Sequence, residues 1–150
     1  MNTILGLMLA GLSGGPAPDE VVMQFYDAVA SGEGNRAVSC LGQPMLQQCA
    51  FLLDLTKGDE SSVAELRLLL GMEITFEEVD TMTVGTFAVR LVESDVVHQA
   101  VLSNHITCGD SWIEGDTAWV VTVFDGNDFE TDTLMLGREN GAWKLMVELF

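Results

Sequence analysis

Positive charge is what this chain has least of. Only 6 of its 150 residues are Lys or Arg, against 23 Asp and Glu, giving a net charge of −17. Such a surface repels a phosphate backbone, so nucleic-acid binding is not expected. An anionic membrane surface is disfavoured on the same ground. The charge acts first as a solubility device; a basic protein partner or divalent cations are the sharper readings. Long apolar runs are also missing. None reaches the ~18 residues that a membrane-spanning helix requires. Cysteine is scarce: Cys40, Cys49 and Cys108 are the three, and none forms a Cys-x-x-Cys. That argues against a thioredoxin-like site and a zinc ribbon. The odd count leaves at most one disulfide within the chain. Cys40 and Cys49 would close a short loop in an oxidising compartment; the alternative is three buried thiols acting as small hydrophobes. No Gly-rich phosphate loop, Walker motif or dinucleotide fingerprint is present, so no cofactor is implied.

What is present describes a globular chain. Hydrophobic residues make up 48% and charged residues 19%, a composition that folds. The length suits one domain. The first fifteen residues carry no charged side chain, and the stretch from Ile4 to Leu12 has the form of the apolar core of a secretory signal. A cut after Ser13 would put Gly11 and Ser13 at the small-residue positions of such a signal. No Lys or Arg precedes the apolar core, and Leu12 stands where a lipoprotein signal has Cys. The expectation is a leader over residues 1–15 and a domain over 16–150, secreted or periplasmic. The alternative is a cytoplasmic chain whose first segment packs on the domain. Gly11-Leu12-Ser13-Gly14-Gly15 fits the Gly-x-Ser-x-Gly pattern by chance. A nucleophile elbow runs directly into a helix, and here Pro16 and Pro18 follow at once.

Pro18-Asp19-Glu20 reads as a helix start, because proline suits the first turn and acids there complement the helix dipole. Val21, Val22, Phe25, Tyr26 and Val29 keep helical spacing up to Ser31-Gly32. A short helix follows over about Asn35 to Leu41. Another over Pro44 to Leu55 carries Met45, Leu46, Cys49, Leu52 and Leu53, a face broad enough to predict burial on most sides. Ser62-x-x-Glu65 and Thr75-x-x-Glu78 have the form of capping boxes, and Thr83 caps the helix that carries Phe87. A last turn runs through Val96 and Val97.

From Ser103 the apolar period changes to two. Strands are expected over about Asn104–Ile113, Thr117–Phe124, Phe129–Gly137 and Ala142–Leu149. The links Glu114-Gly115-Asp116, Asp125-Gly126-Asn127-Asp128 and Glu139-Asn140-Gly141 are hairpin chemistry. Helices first and a meander last define an α+β fold, with helices packed on one face of a curved antiparallel sheet. The second strand is apolar on both faces. Ala118, Val120, Thr122 and Phe124 point one way; Trp119, Val121 and Val123 point the other. A singly covered strand alternates with polar residues, so the second face is expected to meet something. A homodimer through the sheet, with Trp119, Val121 and Val123 at the interface, is the expectation; cover by the N-terminal segment is the alternative.

The order of helices, the tract Gly71-x-x-Ile74-Thr75-x-Glu77-Glu78, the Phe87 helix, Gly115-Asp116-Thr117-Ala118-x-Val120 and Glu139-Asn140-Gly141-x-Trp143-Lys144 resemble the nuclear transport factor 2-like superfamily. Within it the chain is most similar to small bacterial secreted proteins of unknown function. The resemblance covers about Pro16 to Phe150 and implies a cone-shaped domain whose sheet and first helix enclose a pocket. It implies no particular reaction, since the superfamily holds isomerases, dehydratases, hydrolases and non-catalytic binding domains.

No catalytic motif of that superfamily matches positions here. Phe25, Tyr26, Phe87 and His105 are the candidate pocket residues; Tyr26 could offer a hydroxyl, and His98 or His105 a base near neutral pH. Neither histidine has a spaced partner that marks a dyad. His98, His105, Cys108 and Asp110 fit no zinc spacing, because strand alternation sends His105 and Cys108 to opposite faces. The acids from Asp125 to Asp132 lack the EF-hand order. No metal site is expected. Trp143 alternates with Leu145 and Val147 and reads as core, whereas Trp119 suits an interface centre. The resulting expectation is a non-catalytic domain that binds a protein or a small apolar ligand. The alternatives are a small-molecule isomerase, dehydratase or hydrolase working through Tyr26 or His105, and an acidic mimic that occupies a basic protein's site.

Overall fold

The computed structural model describes residues 15–146. The leader expected over the first fifteen residues falls almost wholly outside them, as does the end of the last strand. Among the described residues seven helices come first: α1 Pro18–Ala30, α2 Gly34–Ser39, α3 Gln43–Thr56, α4 Glu60–Leu70, α5 Phe76–Val79, α6 Val84–Val92 and α7 Asp95–Leu102. Four strands follow: β1 His105–Glu114, β2 Thr117–Asp125, β3 Phe129–Glu139 and β4 Ala142–Leu145. They pair in the order β1-β2-β3-β4, all antiparallel, so the expected α+β meander is the fold. Among the described residues no helix is long and apolar enough to cross a membrane.

Local chemistry sets the boundaries. Proline and two acids open α1. The Thr75 hydroxyl accepts from the Glu78 amide at the start of α5, and Thr83 does the same for Thr86 at α6. Gly71 closes α4 in the left-handed conformation (φ 62°), where a side chain is strained. The start of α4 departs from expectation. Asp59, not Ser62, is the cap: its carboxylate accepts from the Ser61 and Ser62 amides, so the helix opens at Glu60. The Val96–Val97 turn grows into the eight residues of α7. Asn140 and Gly141 both take positive φ (52° and 81°), as the tight hairpin between β3 and β4 requires.

Two cores result. In the first, α1 lies across the inner face of the sheet. Val21 and Val22 meet Ala118, Val120, Leu136, Trp143 and Leu145 there, all buried. Trp143 is thus core, with the Arg138 guanidinium 4.6 Å over its ring. The chain from Cys40 to Gly42 bonds to Leu145 and covers the β4 edge. The second core belongs to the helices and the segments that link them: Cys49 and Leu53 of α3 pack on Val63, Met72, Ile74, Val79, Phe87, Ala88 and Leu91. The sheet therefore carries α1 directly, while α3 to α6 build a separate apolar layer. A bulge in β1 between Cys108 and Ser111 leaves Gly109 and Asp110 opposite Val121 and bends that strand.

Three expectations need correction here. Cys40 and Cys49 form no disulfide: both are free, buried thiols, Cys40 in the first core and Cys49 in the second. Burial raises both thiol pKa values, which suits inert packing groups. α3 is not buried on most sides, because Phe51 and Leu55 face outward. Phe87 does not join Phe25, Tyr26 and His105 around a pocket: it is fully buried in the helical core.

Candidate functional site

Tyr26 and His105 do come together. They line a cleft of about 330 Å³ between α1, the end of α7 and the start of β1, with Met23, Asp27, Leu102 and Asn104. Phe25 is not part of its lining; its ring meets Tyr26 edge-on, and it packs against both the sheet core and the small core of Ala28, Val29, Ala37 and Val92. The Tyr26 ring also packs edge-on against Phe124, with centroids 5.6 Å apart. Burial, reinforced by the Asp132 and Cys108 charges, pushes the Tyr26 hydroxyl up to about 12. His105 and Asp27 are exposed. His98 is occupied elsewhere: its Nδ1–H donates to the Val29 carbonyl at 2.9 Å, tying α7 to α1.

Tyr26 is the one tyrosine in the chain, so its titration is directly readable. Phenolate absorbance of the folded protein is expected to show a midpoint of about 12, against the ordinary value of 10.0. Unfolding in denaturant should return it to ~10. The folded state holds this proton more tightly than the unfolded one. The linked stability is therefore complete below pH ~10 and is lost as pH rises through the folded value. A folded-state midpoint near 10 would mean that the hydroxyl is solvated.

A second cavity is larger and differs in chemistry. About 440 Å³ lies between α3, α4, α6 and α7, with Leu52, Leu55, Leu66, Leu69, Leu91 and Val97 in its wall. Glu65 is the one charged residue that lines it; Thr56 and Ser62 add hydroxyls. Two of the leucines are well exposed, Leu55 at 53% and Leu69 at 67%. One helical turn before Leu55, Phe51 is 67% exposed as well. Phe51, Leu55 and Leu69, large apolar side chains on two adjacent helices, make a patch, unlike the scattered singles found on most surfaces. Sequence reading missed this site. The signal was the surplus of apolar residues on α3, where Phe51 and Leu55 add to Met45, Cys49 and Leu53 beyond what one buried face can hold.

The third feature is the outer face of the sheet. Trp119, Val121 and Val123 point there, as their alternation predicts, and each is half-buried. Trp119 stacks on Trp112 across the β1–β2 pair, with centroids 5.8 Å apart and planes 17° from parallel. The register adds Thr107, Thr131, Thr133 and Met135 to the same face. Charges lie at its ends, Glu114, Glu139, Lys144 and Asp125, and at the bulge, Asp110. The rows between are neutral.

Among the described residues no three His, Cys, Asp or Glu side chains gather as a metal site. No family model matches the chain, and neither a curated protein nor a solved structure matches it.

Proposed function

We propose that this chain is a non-catalytic binding domain whose ligand site is the apolar groove between α3, α4, α6 and α7. The observation that carries the reading is the groove itself: a leucine-walled cavity of about 440 Å³ continuous with exposed apolar side chains. Cavities of ~300–1,000 Å³ with mostly apolar walls and a few polar groups are the usual form of ligand sites. The acid–base alternative draws on the cleft shared by Tyr26 and His105. Against it, a hydroxyl held at about 12 is a weak acid at neutral pH, and His105 is exposed.

The groove reading is tested with a neutral, apolar, environment-sensitive dye. Fluorescence should rise on mixing with the full chain. Leu55→Ser combined with Leu69→Ser should weaken binding by about tenfold. Both residues are exposed, so folding is expected to survive. Dye binding that ignores both substitutions would remove the groove as the site.

The outer sheet face carries a second part of the proposal, self-association as a homodimer. A tryptophan stack and a valine row on a neutral face support it in a chain of −17. A four-stranded sheet of about ten rows projects roughly 600 Å², close to the ~800 Å² per partner of a standard interface. Kinship with the nuclear transport factor 2-like superfamily belongs to the same proposal; helices ahead of a hairpin-linked meander support it. Export to an extracellular or periplasmic space is also part of it, resting on the uncharged, apolar first fifteen residues, with a cytoplasmic chain as the alternative.

A further inference from the structure

We infer that the occupant of the α3–α4 groove is a cationic amphipathic helix supplied by a partner protein. The inference rests on the groove being a binding site, as proposed above, and adds the chemistry of what it takes. Shape is the first argument. The groove's wall on α4 runs from Ser62 to Leu70. At ~1.5 Å per residue that wall is roughly 13 Å long, room for at least two turns of a partner helix. The apolar surface also continues past the cavity onto Phe51, one helical turn before Leu55. A small molecule in the cavity would leave that ring in water. A helix laid along the groove, with anchors at i, i+3, i+4 and i+7, would cover it.

Charge is the second argument. The charged residue in the wall is Glu65. Asp54, Asp59 and Glu60 are exposed on the same two helices and their connecting turn. Of the two cations on that stretch, Lys57 lies 3.9 Å from the Asp54 carboxylate, and Arg67 faces the separate cleft beside Met72, Glu73 and Glu78. The net charge of −17 extends the negative field well beyond the groove. A fatty acid or other anionic amphiphile would bring its carboxylate toward Glu65 and be repelled. Lys or Arg on the flanks of an apolar stripe would meet Glu65 and the surrounding negative field, which raises association rate and fixes orientation.

The experiment uses the full chain and three synthetic 14-residue helical peptides. One carries a leucine stripe flanked by Lys, one carries the same stripe flanked by Glu, and one is the Lys peptide with its stripe scrambled. Binding is read by fluorescence anisotropy at low and high salt, with the neutral dye run alongside. The Lys peptide is expected to bind at least about tenfold tighter than either control. It should weaken about tenfold on Leu55→Ser with Leu69→Ser, and should weaken as salt rises. Equal binding by the scrambled Lys peptide would reduce the effect to bulk charge and overturn the inference. Dye binding without peptide binding would overturn the helix and leave the groove standing; loss of both would overturn both. A photo-reactive phenylalanine analogue placed at Leu69 identifies the occupant. Crosslinks to the Lys peptide support the inference. Crosslinks that persist to the chain's own first fourteen residues, or to a second copy, in the presence of saturating peptide would overturn it.

Discussion

Phe87→Ala is expected to destabilise the protein by about 3–5 kcal/mol, the usual cost of emptying a fully buried aromatic site. Total stabilities run to about 5–15 kcal/mol, so the loss is a large fraction of the whole. The urea midpoint should fall by roughly 2 M at a typical slope. The reason is position. Phe87 has no exposed surface and is the largest of the fully buried side chains. It sits on α6, which packs against both α2 and α3, and it shares a core with Leu53, Ile74 and Val79. No sheet residue contributes to that core, so nothing in the meander can collapse into the cavity left behind. Phe87→Leu, which keeps most of the volume, should cost much less. Were Phe87 instead the wall of a ligand pocket, Phe87→Ala would change binding and leave the urea midpoint nearly in place. A change below about 1 kcal/mol would refute the helical core.

The sheet was the most legible part of the sequence. The switch to a two-residue period at Ser103 and the turn sequences Gly115-Asp116 and Asn140-Gly141 act within a few residues, so local reading suffices. The inner and outer rows of β2 followed from the same alternation. Helix starts were legible where one cap stood alone, at Thr75 and Thr83. The start of α4 was not, because Ser62-x-x-Glu65 has the form of a capping box while Asp59 holds the two amides in the fold. The choice between two adjacent caps is made by where the chain leaves α3, which is a tertiary fact.

Sites were harder to read than elements. Tyr26 and His105 meet because α1 and the start of β1 are brought together, a long-range contact to which the α+β reading pointed. Phe87, expected around the pocket, lies in the helical core for a related reason. Helical spacing identifies an apolar face but not which of two cores receives it. The groove was hidden by the rule that apolar residues go inside. Leu66, Leu68, Leu69 and Leu70 look alike in sequence, yet Leu66 and Leu70 are half-buried while Leu68 and Leu69 stand in water. Only the packing of α4 against α3 and α7 separates them.

Trp119→Glu is expected to convert the proposed dimer into a monomer, raising its dissociation constant by at least about 100-fold, or ~2.8 kcal/mol. Trp119 stacks on Trp112 and pairs across the ladder with Met135, so it anchors the neutral stretch of the outer face. Tryptophans in that setting dominate interface energies. The substitution removes the anchor and adds a carboxylate that a symmetric mate would bury beside or against its own. Because Trp119 is only half-buried in one copy, the urea midpoint of the dilute protein should change far less than the association constant. Trp119→Thr, which keeps a strand former and adds no charge, should weaken pairing by a smaller factor. Salt supplies an independent sign. Two copies at −17 each repel, and raising salt from 0.1 to 1 M shortens the screening length from ~10 to ~3 Å. Sheet pairing should therefore tighten with salt, whereas a cationic helix in the groove should loosen. Sedimentation equilibrium on the full chain across that salt range reads the first effect. A wild-type protein that stays monomeric at high salt, or a Trp119→Glu variant that still pairs, would remove the sheet as an interface.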